Sequence, residues 1–150
     1  IKGENVTSGY ENNPDANKNS FSDGWFRTGD QGYFDKDGYL KISGRLKEII
    51  NKGGEKISPL EVDNILMDHP NIEQAVCFGY EDKMLGEDIA TAIIIKEGMQ
   101  CTEDDIKIYA NEKLAKFKIP KKIFFVNEIP KGATGKLQRN TLAKKFGLVN

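Results

Sequence analysis

Three short runs combine residue types and spacings that could do chemistry. The last of them is Pro130-Lys131-Gly132-Ala133-Thr134-Gly135-Lys136. A lysine closing a glycine-bearing loop can carry a point charge to a phosphate or carboxylate oxygen. The run is not a P-loop. Its glycines are too close together, Leu137 stands where a magnesium-binding Ser or Thr belongs, and Pro130 precedes the loop. The first run, Gly24-Trp25-Phe26-Arg27-Thr28-Gly29-Asp30, presents a carboxylate at a tight turn beside aromatics. Such a carboxylate can accept paired hydrogen bonds from vicinal hydroxyls, as in a ribose. The middle run is Gly44-Arg45-Leu46-Lys47-Glu48-Ile49-Ile50, continuing through Lys52-Gly53-Gly54-Glu55 to Glu61. Adjacent glycines let another backbone or a ligand approach closely, or permit a turn that other residues resist. Taken singly, each run also has a plainer reading: a turn aspartate, a simple hairpin turn, a solvated lysine.

The elements that must hold these residues are legible from patterning. Residues 1–23 are polar and rich in Asn, Gly and Ser, and read as a short strand followed by a surface loop. Tyr33-Phe34 and Tyr39-Leu40-Lys41-Ile42 flank Asp35-Lys36-Asp37-Gly38 as a hairpin. A second hairpin is expected from Lys47–Asn51 to Glu55–Ile57 around Lys52-Gly53-Gly54. Ser58, Pro59 and Glu61 read as a helix start with a capping box, and Ile57 and Val62 as a hydrophobic staple. That helix carries Val62, Ile65 and Leu66 inward and stops at Pro70. Strands follow near 74–79 and 89–96, and the unbroken apolar run at 89–95 belongs at a sheet centre. Thr102 caps a helix with Ile106, Tyr109, Ala110, Leu114 and Phe117 on one face, and Pro120 ends it. Residues 122–127 form a third strand, and a last helix lies near 138–146. The fold class is α+β: a β-hairpin and a three-stranded mixed sheet flanked by helices, preceded by a β-rich tail. The expected division is 1–43 and 44–150.

Composition limits the function classes. The chain has 150 residues, 38% hydrophobic and 30% charged, with a net charge of -1, which suits a globular domain with a real core. No run approaches the roughly 18 apolar residues of a membrane span. Cys77 and Cys101 have no metal or redox spacing, and Cys77 lies in an apolar run that reads as core. His69, before Pro70, reads as structural, and no metal ligand set is visible. From Lys113 to Lys145 there are ten basic residues and one acid; from Gly44 to Glu112, seven basic residues and fifteen acids. A basic end on an acidic body suits a polyanionic partner or a solvated lysine-rich face. Phe117, Phe124 and Phe125 sit in core-like patterns, which speaks against a nucleic-acid or membrane-binding module.

Together, in this order, the runs resemble the adenylate-forming superfamily of acyl-CoA synthetases, firefly-type luciferases and peptide-synthetase adenylation domains. The opening stretch from Ile1 to Tyr10 is similar to that family's Gly-x-Asn-Val-x-x-Gly-Tyr, with Glu4 at the variable position. The resemblance covers essentially the whole chain. Its wording is nearest to oxalate-CoA ligase-like enzymes in residues 12–18, 53–59 and 117–122. It implies that 1–43 is the end of a large N-terminal adenylation domain and 44–150 the mobile C-terminal lid.

The same resemblance assigns roles. It implies that Asp30 binds the ribose hydroxyls of ATP and AMP and that Arg45 contacts the ribose and phosphate side. Lys47 falls at the hinge, Gly53 and Gly54 line the tunnel for CoA, and Lys136 is the lysine of adenylate formation. Lys118, Lys121 and Lys122 are weaker matches for CoA phosphate contacts. The implied partners are a small carboxylic acid, ATP, CoA and the chain's own N-terminal domain, with Mg²⁺ held mainly by that domain; no nucleic acid is expected. The implied activity is an acid-thiol ligase working in two half-reactions, with carrier-protein loading as an alternative. Because the chain opens at Ile1 without Met, it is expected to be an excised fragment, inactive by itself. An intracellular home is expected, cytoplasmic first and peroxisomal as the alternative, although Leu148-Val149-Asn150 is no peroxisomal address.

Overall fold

The computed structural model describes residues 1–132 and 135–148, and the chain divides into two units, Ile1–Ile42 and Ser43–Asn150. In the first unit a helix, α1 (Pro14–Ser20), stands where a surface loop is expected. Asn13 Oδ1 accepts the Ala16 N–H at 3.1 Å, and Pro14 occupies the first turn, where its absent N–H leaves no bond unmade. No strand forms before α1. The Asn-rich run instead supplies caps and turn bonds: the Asn17 side chain binds the Tyr10 N–H and C=O at 2.7 and 2.9 Å. Strands β1 (Phe21–Ser22) and β2 (Trp25–Phe26) pair antiparallel, with Phe21 opposite Phe26. Strands β3 (Asp30–Phe34) and β4 (Leu40–Arg45) form the expected hairpin. Its turn is held by the Asp35 carboxylate, which accepts the N–H groups of Asp37 and Tyr39 at 3.0 and 2.9 Å.

The second unit carries the core. A 3₁₀ turn at Leu46–Glu48 leads into β5 (Ile50–Lys52) and β6 (Glu55–Ile57). Gly53 and Gly54 join these strands at φ 59° and 96°, the left-handed backbone a two-residue hairpin turn requires. Helix α2 (Pro59–Met67) follows. Its Ser58–Glu61 capping box does not form. The Ser58 hydroxyl donates to the Ser43 carbonyl at 2.5 Å, and Lys118 takes the Glu61 carboxylate at 2.6 and 2.8 Å. Gly44 is what permits this approach, since a Cβ there would come within 2.6 Å of Ser58 Oγ. Ile57 and Val62, the expected staple, are both fully buried.

Strands β7 (Ile72–Asp82) and β8 (Gly86–Ile95) form a long antiparallel hairpin. Strand β9 (Lys122–Phe125) runs parallel to β8 on the edge away from β7, and β5 joins β8 through Lys52 and Gly86. The hairpin and the mixed sheet are therefore parts of one five-stranded sheet, with the apolar run of β8 at its centre. Helix α3 (Glu103–Lys113) has a complete capping box: Thr102 Oγ1 accepts the Asp105 N–H at 3.2 Å, and Asp105 accepts the Thr102 N–H at 2.9 Å. This helix is shorter than expected. It ends at Lys113, and a 3₁₀ turn at Lys116–Lys118 leaves Phe117 exposed, as Phe125 is, so these two rings are not core. The last helix is α4 (Arg139–Lys145).

Two apolar clusters flank the sheet. One joins Ile50, Ile57, Val62, Leu66, Ile89 and Ile93 to Ile106, Ala110 and Leu114, packing α2 and α3 on one face. The other joins Val76, Phe78, Tyr80 and Ala92 to Ile129, Leu142 and Ala143, packing α4 on the opposite face. Cys77 is buried as expected, and burial pushes its thiol well above its usual pKa, with the Asp63 charge adding to the effect. It is a packing residue, not a nucleophile.

Asp82 closes the β7–β8 turn. Its carboxylate accepts the N–H groups of Met84 and Leu85 at 3.0 and 3.1 Å and the Lys121 ammonium at 3.1 Å. The Met84 N–H and these companions lower its pKa from 3.8 to about 2. A carboxyl whose folded pKa lies below its unfolded one stabilises the fold at higher pH, and that contribution fades as pH falls through the folded value. We therefore expect acid unfolding to steepen between about pH 4 and 2, and Asp82→Asn to flatten that segment. Circular dichroism across an acid titration of both proteins checks the expectation; identical profiles would contradict it.

Candidate functional site

Lys136 is exposed. The segment that presents it has a firm base: Lys131 pairs with Leu137 as an antiparallel bridge, and the Gly132 N–H donates to the Lys136 carbonyl at 2.9 Å. Lys145 of α4 donates to the Lys131 carbonyl at 3.1 Å, and Leu137 packs into the α4 cluster. Backbone and following residue are thus fixed while the ammonium points outward. Ala133 and Thr134 of this motif lie outside the described residues.

Three residues beyond Lys136 is a side chain that sequence reasoning counted only as one of the basic run. Arg139 begins α4 and uses its guanidinium three ways: to Asp63 at 2.5 Å, to the Cys77 carbonyl at 2.8 Å and to Glu48 at 3.1 Å. The other Asp63 oxygen accepts the Cys77 N–H at 2.6 Å. Cys77 lies on β7, at the end of the sheet order, so Asp63 and Arg139 together satisfy both backbone groups on its outer edge. Burial raises the Asp63 pKa, against the opposing pull of the Arg139 charge. Such a carboxylate stays ionised in the interior only because a cation faces it. One signal was available in the sequence: Asp63 is an acid next to Val62 and one turn from Leu66, on a helix face meant for the core.

The remaining predicted residues fall in two places. Asp30 begins β3 in the first unit, its N–H donating to Thr28 Oγ1 at 3.1 Å. In the second unit Arg45 ends β4, and Lys47 is an exposed member of the 3₁₀ turn that follows. Lys47, Glu48 and Arg139 line one cleft of about 210 Å³ with Ile50, Phe78 and Glu87. At the β7–β8 turn, the Gly53 N–H donates to the Leu85 carbonyl at 2.8 Å. Buried Asp88 there pairs with Lys52 at 2.5 Å and Lys121 at 3.4 Å, joining the Gly53-Gly54 turn to the basic strip. The strip itself is partly engaged. Lys118 pairs with Glu61, Lys121 with Asp82 and Asp88, and Lys122 lies 4.7 Å from the centre of the Tyr80 ring. The Asp82 hydrogen bond, with Tyr80 and Asp88 beside it, raises the Lys121 pKa. Among the described residues no group of three His, Cys, Asp or Glu side chains could hold a metal ion, and no helix is long and apolar enough to cross a membrane.

Residues 61–136, just over half of the chain and ending on Lys136, match the AMP-binding enzyme C-terminal domain. The chain belongs to that family. It is 55% identical over 146 residues to an oxalate–CoA ligase of Arabidopsis thaliana, covering 97% of this chain and 28% of that protein. It is 52% identical over 148 residues to an oxalate–CoA ligase of Saccharomyces cerevisiae, covering 97% and 27%. An o-succinylbenzoate CoA synthetase of Bacillus subtilis, solved with an acyl-adenylate intermediate, superposes with a TM-score of 0.86 at 39% identity, covering 94% of this chain and 29% of that one. The chain therefore spans just over a quarter of the length of these relatives. The α+β fold expected from the residues is the fold of this family.

Removing the guanidinium would leave the Asp63 charge buried without a partner. We expect Arg139→Met to lower the stability of the 150-residue chain by about 3–5 kcal/mol, the usual cost of breaking a buried ion pair from one side. Urea unfolding checks this; a loss below about 1 kcal/mol would show that the pair does not hold the edge of β7.

Proposed function

We propose that this chain is the mobile C-terminal part of an AMP-forming acid–CoA ligase, with residues 1–43 completing a large N-terminal domain and residues 44–150 moving as its lid. The observation that carries the reading is Lys136: an exposed ammonium on a segment with a fixed base, at the end of the family match. In the proposed first half-reaction a carboxylate oxygen attacks the α-phosphorus of ATP, and pyrophosphate leaves. Two anions must meet, so a cation placed between them lowers the barrier. Lys136 supplies that charge. Asp30 takes the ribose hydroxyls, and Arg45 the ribose and phosphate side of the nucleotide. Magnesium enters with ATP as part of the substrate, and its protein ligands are assigned to the N-terminal domain.

In the second half-reaction the CoA thiol attacks the acyl carbon, the bond to the phosphate oxygen breaks, and AMP leaves. Lys136 then withdraws, and the Gly53-Gly54 turn approaches to line the thiol's path, the lid pivoting at Lys47. One feature of the second unit supports such a pivot. Lys136 belongs to the α4 face, whereas Gly53 and Gly54 sit at the β7–β8 turn, so one rigid sheet carries both tools on different sides. Of the basic strip, Lys122 has no carboxylate partner among the described contacts and is the best placed to meet a CoA phosphate; Lys118 and Lys121 would first have to leave theirs. The acid we propose is a short carboxylate of the oxalate kind, on the 55% and 52% identities to oxalate–CoA ligases.

In the full-length enzyme, Lys136→Ala should lower pyrophosphate release at least about a hundredfold, the scale for losing one charge-stabilising donor. Thioester formation from supplied acyl-adenylate should change less than about threefold, because that step does not use the lysine. Equal losses in both half-reactions would contradict the assignment.

A further inference from the structure

Arg139 lies three residues after Lys136, and Glu48 one residue after Lys47. Their 3.1 Å contact, spanning 91 positions of sequence, joins the segment that presents the charge to the segment that would pivot. The other two arms of the guanidinium are fixed by the fold, on Asp63 of α2 and the Cys77 carbonyl of β7. Arg139 is consequently a stationary post, 11% exposed, and Glu48 at 21% is the outer ligand it holds at the mouth of the cleft. The 3₁₀ turn bearing Glu48 has no side-chain cap of its own. A three-residue turn is weakly self-supporting, so an outside anchor decides whether it is rigid.

We infer that Arg139 is a positioning residue: through Glu48 it clamps the 3₁₀ turn that contains the pivot to the start of α4, three residues after Lys136, so rotation at Lys47 moves the lysine as part of one body. The inference rests on the proposed roles of Lys47 and Lys136. The Gly53-Gly54 turn has separate ties, from Gly53 to Leu85 and from Lys52 to Asp88, and does not depend on Glu48. Loosening Glu48 should therefore blur the placement of Lys136 and leave the second tool in place. Adenylate formation is the step that suffers, since a misplacement of about 1 Å can cost orders of magnitude in rate.

The variant to make is Glu48→Ala in the full-length enzyme, which leaves the Arg139–Asp63–Cys77 network intact; replacing Arg139 would expose the buried Asp63 charge and risk the fold. We expect pyrophosphate release to fall about tenfold, thioester formation from supplied acyl-adenylate to stay within about twofold, and the melting temperature to hold. Glu48→Gln, which keeps an acceptor within reach of Nε, should recover part of the loss. Unchanged adenylation, or equal loss in both half-reactions, would overturn the inference. Lys136→Ala run alongside separates the two claims. If it abolishes adenylation while Glu48→Ala changes nothing, only the clamp falls; if Lys136→Ala itself leaves adenylation intact, the functional reading falls with it.

Discussion

One guanidinium holds the second unit together at the point where its three layers meet. Arg139 starts α4 on one face of the sheet, Asp63 belongs to α2 on the other, and the backbone of Cys77 lies between them on the edge of β7. A strand edge carries bare N–H and C=O groups, and burying them unpaired is costly. Asp63 and Arg139 pair both groups and neutralise each other. Either charge alone would be an expense to the fold; together they let two helices pack on opposite faces while the edge between them stays closed.

Charge is distributed with the same economy elsewhere. At the β7–β8 turn, Asp82 and Asp88 draw in Lys121, one of the basic residues counted along 113–145, together with Lys52 from outside that stretch. Lys118 is matched by Glu61 of α2. Lys136 is held differently: its backbone is tied down through Gly132 and the Leu137 bridge, while its side chain is exposed. A fixed root with an outward charge suits a group that must be delivered to a partner surface and withdrawn again.

The elements were legible wherever local chemistry had one outcome. Gly53-Gly54 could hardly be anything but a turn, and the unbroken apolar run of β8 could only be central. Ser58 and Glu61 carried a capping signal, but both found longer-range partners that local pattern does not show, Ser43 and Lys118. The reverse held at Asn13-Pro14, a cap and first turn passed over because the surrounding residues were polar. Phe117 and Phe125 looked like core by spacing, yet a 3₁₀ turn and the short β9 strand turn them outward. Of the candidate site, the residues alone showed Lys136 as a solvated lysine on a glycine-flanked loop, and its proposed role came only with the family resemblance. The place of Arg139 could not be read, because its three partners lie 62, 76 and 91 residues away and only the fold gathers them.

The central claim is that the Lys136 ammonium travels between solvent and a reacting nucleotide. Lysine reactivity in the full-length enzyme measures this most directly: acylate the protein with a lysine-selective reagent, free and then saturated with ATP, and quantify each site by mass spectrometry. The account predicts that ATP protects Lys136 strongly, and that added CoA and acid restore its reactivity, while exposed Lys144 on α4 stays equally reactive throughout. Labelling of Lys136 that is the same in every state would contradict the account.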